Sequence, residues 1–157
     1  MHKRIKTRSM QKISNKIADK PHFYSDFPYR VRYADVDQMG YMYYGNYARL
    51  YEIGRVEAIR NLGLRYRDFE DAGVMMPVYE NTSRYLKPIR YDELIQIRVH
   101  IRDIPKVRIV FSYEIFNEEG ELVHTGETTL VFVEMATNKI IPTPKSIIER
   151  ILPFFSS

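Results

Sequence analysis

A chain of 157 residues with 45% apolar content is long enough for one domain with a buried core, and it contains no run of about 18 apolar residues able to cross a bilayer. It has no cysteine, which excludes a disulfide framework and any thiolate nucleophile or ligand. Its net charge of +4 is uneven: residues 1–20 hold seven Lys or Arg against one acid, while the other 137 hold 17 basic and 19 acidic side chains, so a basic domain face for nucleic acid is not supported.

Residues 1–20 read as a basic, flexible extension, because Met10, Ile13 and Ile17 are too sparse for a signal-peptide core. Residues 21–157 are expected to form a single domain, with no repeat or Gly/Ser linker to divide it. From Pro21 the chain is aromatic-rich and extended. In YRVRY, the alternation of Tyr29, Val31 and Tyr33 against Arg30 and Arg32 predicts a strand. An acidic loop follows, and Asn46 offers a side-chain oxygen able to cap a helix. Tyr47, Leu50, Tyr51, Val56, Ala58, Ile59 and Leu62 then recur largely at three- and four-residue spacing, between Arg49, Glu52, Arg55, Glu57 and Arg60. That pattern predicts one amphipathic helix of about four turns, ended by Gly63. A shorter helix is expected over Tyr66–Ala72, closed by Gly73.

Strands are expected from Met75 to Ile141. In LIQIRVHIR, Ile95, Ile97, Val99 and Ile101 alternate with Gln96, Arg98, His100 and Arg102; VRIVFSYEIF alternates likewise, and Asn117–Gly120 reads as a hairpin turn. Thr143 and Pro144 predict the cap and first position of a last helix striped by Ile147, Ile148, Ile151, Leu152 and Phe155. The order implies an α+β domain, an antiparallel sheet of five or six strands around one long helix, with edges suited to pairing of two subunits.

The loop in YADVDQMGYMYYGNYARLYE is the candidate for chemistry, although an Asp ahead of a helix is more often a cap or an Asx-turn. As a calcium loop it fails, because the fifth position is Met39 and the twelfth is Asn46 rather than a bidentate glutamate. His2, His22, His100 and His124 form no ligand-spaced pair, so no metal is expected. What remains is a carboxylate ahead of a helix N-terminus, whose free N–H groups can polarise a carbonyl while the carboxylate attacks it or activates water. That set needs no cofactor. Asp35 suits a turn former, and Gly40 a backbone angle that a side chain would resist.

YADVDQMGYMYYGNYARLYEIGRVE resembles the signature of the hotdog-fold acyl-CoA thioesterases of the 4-hydroxybenzoyl-CoA thioesterase and YbgC type, and RYLKPIRYDELIQIRV resembles a second segment of that family. The resemblance runs from Tyr29 to about Val133. It implies a hotdog fold, hydrolysis of an acyl-CoA thioester, a homodimer or tetramer, and a cytoplasmic setting. By position it makes Asp37 the catalytic nucleophile or general base. Tyr44 stands where some members have histidine and is counted with the catalytic residues for its backbone N–H, a candidate oxyanion donor. Tyr33, Gly40, Tyr43, Asn46 and Tyr47 are assigned to the substrate side, with Arg84 and Lys87 as cations for the nucleotide. The alternatives are an acyl-carrier-protein thioesterase and a non-catalytic acyl-thioester binding module.

Overall fold

The computed structural model describes residues 20–156, so the expected basic extension lies outside the described residues apart from Lys20. The first strand, β1 (Phe23–Arg30), turns Phe23, Ser25 and Tyr29 inward and Tyr24, Asp26 and Arg30 outward. It stops three residues short of the predicted end. Asp35 draws the chain into a 3-10 turn at Tyr33–Asp35, accepting the Arg32 N–H at 2.8 Å through its carboxylate, and this local bond competes with strand pairing.

The long helix α1 (Asn46–Asn61) has the predicted length, but Asn46 does not cap it. Gly45 holds the cap position, and the Asn46 side-chain amide instead donates to the Asp35 carbonyl at 2.8 Å. The buried face comprises Tyr47, Leu50, Tyr51, Gly54, Arg55, Ala58 and Ile59, so Arg55 lies inward where the apolar pattern placed it outward. Gly54 lets the helix sit close on the sheet: a Cβ there would lie 2.8 Å from Val99 Cγ2. Gly63, at φ +80°, ends the run.

After α2 (Tyr66–Asp71) come β2 (Val74–Met75), β3 (Val78–Tyr85), β4 (Leu94–Ile101), β5 (Arg108–Phe116), β6 (Leu122–Glu134), β7 (Lys139–Ile141) and α3 (Lys145–Ile151). Every pairing is antiparallel, in the order β1-β4-β5-β6-β3. These five long strands are those expected; β2 and β7 add two short ones at the far end of β6 and bring the described sheet to seven. The Asn117–Gly120 turn joins β5 to β6, with the Gly120 N–H on the Asn117 carbonyl at 3.0 Å. The Thr143 hydroxyl donates to the Lys106 carbonyl at 2.6 Å rather than capping α3.

The sheet's inner face is apolar across β4 and β5, where Ile95, Ile97, Val99, Ile101, Ile109, Phe111 and Ile115 are all buried. It turns polar towards the other edge. Register sets His124 beside Ile115, Gly126 beside Tyr113 and Thr128 beside Phe111, and β3 continues these rows with Tyr85, Ser83 and Asn81. A curled antiparallel sheet around one long helix is the hotdog arrangement.

Candidate active site

Two carboxylates two residues apart have opposite surroundings. Asp35 is 3% exposed and gathers the loop around itself. Its Oδ2 accepts from the Tyr29 hydroxyl at 2.7 Å and from the Arg32 N–H, while its Oδ1 accepts from the Arg49 guanidinium of α1. Its carbonyl accepts the Tyr43 N–H at 2.9 Å and the Asn46 amide. Arg49 also donates to the Tyr29 hydroxyl at 3.1 Å. One residue thus ties the end of β1 to the first turn of α1, and charge-assisted bonds make the tie strong.

Asp37 is exposed. Its Oδ1 accepts the Met39 N–H at 2.9 Å in an Asx-turn, and its Oδ2 makes no hydrogen bond among the described residues. The turn closes with the Asp37 N–H on the Tyr41 carbonyl at 2.8 Å and the Gly40 N–H on the Asp37 carbonyl at 2.9 Å. Gly40 has φ +79°, the backbone angle the sequence suggested. Beyond the turn the chain runs into α1. The Tyr43, Asn46 and Tyr47 N–H groups are bonded, whereas those of Tyr44 and Gly45 take no bond among the described residues. Free amides at the positive end of a 16-residue helix can receive a developing oxyanion.

Aromatic rings surround this loop. Tyr43 and Tyr44 lie with ring centroids 4.7 Å apart, and Tyr33, 79% exposed, meets Tyr91 edge-on at 5.7 Å. Gly45 lacks a side chain because the Tyr43 ring takes its space; a Cβ there would lie 2.7 Å from Tyr43 Cε1.

Beneath α1 runs a buried polar seam that sequence reasoning missed. Tyr47, Tyr51 and Arg55, each four residues apart on the helix, sit over the sheet rows of His124, Gly126 and Thr128, each two apart on β6. Four helical residues advance about 6 Å and two strand residues about 6.6 Å, so the two periods stay in step. Tyr47 stacks on His124 at 4.0 Å, and Tyr51 stacks on Tyr113 at 4.0 Å. The Tyr51 hydroxyl bonds His124 Nε2, and Ser83 Oγ at 2.7 Å. Arg55 donates to the Tyr113 hydroxyl at 3.0 Å and towards Thr128 Oγ1 at 3.4 Å. Burial pushes the Tyr47 phenol up to about 12 and His124 down to about 4, so both are neutral at pH 7. Burial also works against the Arg55 charge, but the Tyr113 and Tyr66 hydroxyls outweigh it and hold its pKa above the ordinary value. His124 Nδ1 has no hydrogen-bond partner among the described residues. The matched four- and two-residue spacings were the signal in the sequence that could have revealed this seam.

The structure therefore places Asp37, Gly40, Tyr43 and Tyr44 on one loop, with Asn46 opening α1 directly after it. Tyr47 begins the seam instead, covered by His124 and by Tyr85, whose ring meets it edge-on at 5.1 Å. Arg84 stands apart from the loop: Tyr85 faces the helix, and alternation along β3 turns Arg84 to the other face. Lys87 forms an exposed ion pair with Glu121.

Residues 31–151 match the profile of the thioesterase-like superfamily. YneP of Bacillus subtilis, provisionally named an acyl-CoA thioesterase, is 36% identical over 74% of this chain and 84% of its own. The acyl-CoA thioester hydrolase YbgC of Escherichia coli is 30% identical over 78% of this chain and 91% of its own. A crystal structure of a DHNA-CoA thioesterase from Staphylococcus aureus superposes with a TM-score of 0.73 at 39% identity, covering 76% of this chain and 80% of that one. With its signature loop on a hotdog sheet and a profile match over most of the described residues, the chain belongs to the thioesterase-like superfamily.

Proposed function

We propose that this protein is an acyl-CoA thioesterase that releases a free acid and CoA, working as a homodimer or a dimer of dimers. The observation that carries the reading is an exposed Asp37 carboxylate on the segment that leads into α1, where the Tyr44 and Gly45 N–H groups are unengaged among the described residues. The relatives named as acyl-CoA thioester hydrolases support the substrate class. The thioester carbonyl oxygen rests on those amides. Asp37 then either attacks the carbonyl carbon, expelling the CoA thiolate and leaving an anhydride for water to open, or takes a proton from a water that attacks instead. Asp35 is a positioning residue: it holds the loop that carries Asp37 against the helix that supplies the amides.

A second copy completes the site. Asp37 has no cover among the described residues, and β3 is an edge strand exposed at every residue but Ser83, which suits pairing with a partner. Tyr33, Gly40, Tyr43 and Asn46 shape the acyl side with Tyr47 beneath them, and Arg84 and Lys87, which lie away from the loop, would have to meet the CoA phosphates outside it, Lys87 by leaving Glu121.

The test is thiol release from a panel of acyl-CoAs by wild type and Asp37→Asn. A loss of about 100-fold or more is expected, with melting unchanged; equal rates in the two proteins would remove the assignment. Single turnover in heavy-oxygen water identifies direct attack when label enters the Asp37 carboxylate, which happens only if water opens an anhydride at the aspartyl carbonyl.

A further inference from the structure

At the opposite end of β1 from Asp37, three ring contacts run in series on the outer sheet face. His22 Nδ1 lies 2.9 Å from the Lys20 carbonyl oxygen, His22 Nε2 lies 2.9 Å from His100 Nδ1, and His100 Nε2 lies 2.6 Å from Glu114 Oε1. His100 is fully buried, although it alternates with the inward-facing Val99 and Ile101. Both ends of the series are acceptors only, a carbonyl oxygen and a carboxylate. Each end contact therefore consumes an N–H, and the central contact consumes a third. Two neutral imidazoles carry only two N–H protons. The series as built needs one more.

We propose that His22, His100 and Glu114 form a one-proton site, and that its occupancy ties Lys20–His22, where residues 1–19 join the domain, to the outer face of the sheet. The proton resides on His22. The hydrogen bond from His100 holds the Glu114 carboxyl below its usual range, helped by the charges of Arg102 and Arg98, so Glu114 accepts. Burial, first among several causes, lowers His100, which keeps one N–H for Glu114 and offers its Nδ1 to His22.

The groups facing the cluster set how firmly the proton is held. Arg98 is paired with Asp26 at 2.7 Å on β1, and Arg102 lies 3.8 Å from Glu114. Among the described residues, the Tyr24 ring centroid stands 6.2 Å from His22 and 6.0 Å from His100. Without the added proton, these two arginines and two acids balance. Hydrogen-bond geometry rather than net attraction therefore holds the proton, which makes it releasable. On release one contact must open. The Lys20 contact is exposed, and both of its groups can turn to water, whereas the His22–His100 and His100–Glu114 contacts are part-buried and cost more to open. The proton is bound only in the closed state, so acid closes the tie and a rise in pH frees it.

The test uses the full chain with labelled histidine. Imidazole nitrogen shifts and backbone hydrogen-exchange protection over residues 20–24 are followed from about pH 5 to about pH 8. At the acid end both His22 nitrogens are expected to carry protons while His100 Nδ1 carries none. Raising the pH should remove one proton and lower protection in that stretch by about fivefold. In Glu114→Gln the cluster should give up its proton at lower pH. In His22→Gln the protection should no longer depend on pH; this substitution at the half-buried end leaves the sheet intact, so it reports even if Glu114→Gln weakens the fold. The proposal is overturned if one His22 nitrogen stays bare throughout. It is equally overturned if wild type and Glu114→Gln titrate alike, or if protection over 20–24 ignores pH.

Discussion

Two residues of the opening motif look alike in sequence and differ in physics. Asp35 is surrounded by donors, and Asp37 presents one free oxygen to solvent. Asp35→Ala leaves the Arg32 N–H and the Tyr29 hydroxyl without their partner and Arg49 without its counter-charge, at a cost of about 2–4 kcal/mol. Calorimetry should show the lower melting temperature, and kcat should fall about 100-fold with a smaller change in KM, because the loop would shift by a fraction of the reacting distance. Asp37→Asn should leave melting unchanged; a matched drop in both variants would contradict the division of roles. His124 supplies a pH test. Its folded pKa of about 4 lies below the ordinary 6.5, so between those values the unfolded chain binds a proton that the folded chain does not. Stability should therefore fall as pH drops from about 6.5 towards 4, by up to about 3 kcal/mol. Urea midpoints for His124→Gln should show a correspondingly shallower acid limb. At this scale the motif was readable because Asp37, Met39 and Gly40 form their turn from neighbouring residues, whereas the roles of Asp35 required Tyr29 and Arg49 to arrive from elsewhere.

Among elements, the interior of each was legible and the ends were not. The alternation in β4 and β5 and the spacing in α1 follow from which face meets the core, and burial of those faces dominates their stability. The ends depend on single polar partners. Arg32 left the strand for the Asp35 carboxylate, Asn46 reached for the Asp35 carbonyl, and Thr143 for the Lys106 carbonyl. Propensity predicts a cap, but cannot see a better acceptor brought close by folding. The packing of α1 on β6 also explains a glycine that local geometry did not demand. A Cβ at Gly126 would sit 2.1 Å from the Tyr51 hydroxyl and 2.9 Å from the Thr82 carbonyl oxygen. Gly126→Ala must expel Tyr51 from its bonds to His124 and Ser83, which should cost about 2–4 kcal/mol in urea unfolding. The Tyr51 Cζ, 2.5 Å from that Cβ, adds to the clash; a neutral Gly126→Ala would mean the seam is not packed as described.

Over the whole molecule, the proposed second copy rests on the exposed β3 edge and on an Asp37 left uncovered among the described residues. Sedimentation should give a mass of at least twice the 18.7 kDa chain, and specific activity should fall on dilution through the dissociation range. A fully active monomer would end that reading. The sequence by itself determined the class of fold, the order of its elements and the loop on which Asp37 sits, since each is written in contiguous residues whose spacing matches a helix or a strand. The tertiary structure alone decided that Arg55 is buried, that His124 meets Tyr51 and Ser83, and that His22 meets His100 and Glu114. Those contacts join residues dozens of positions apart, and only the register of the folded sheet brings them within hydrogen-bonding distance.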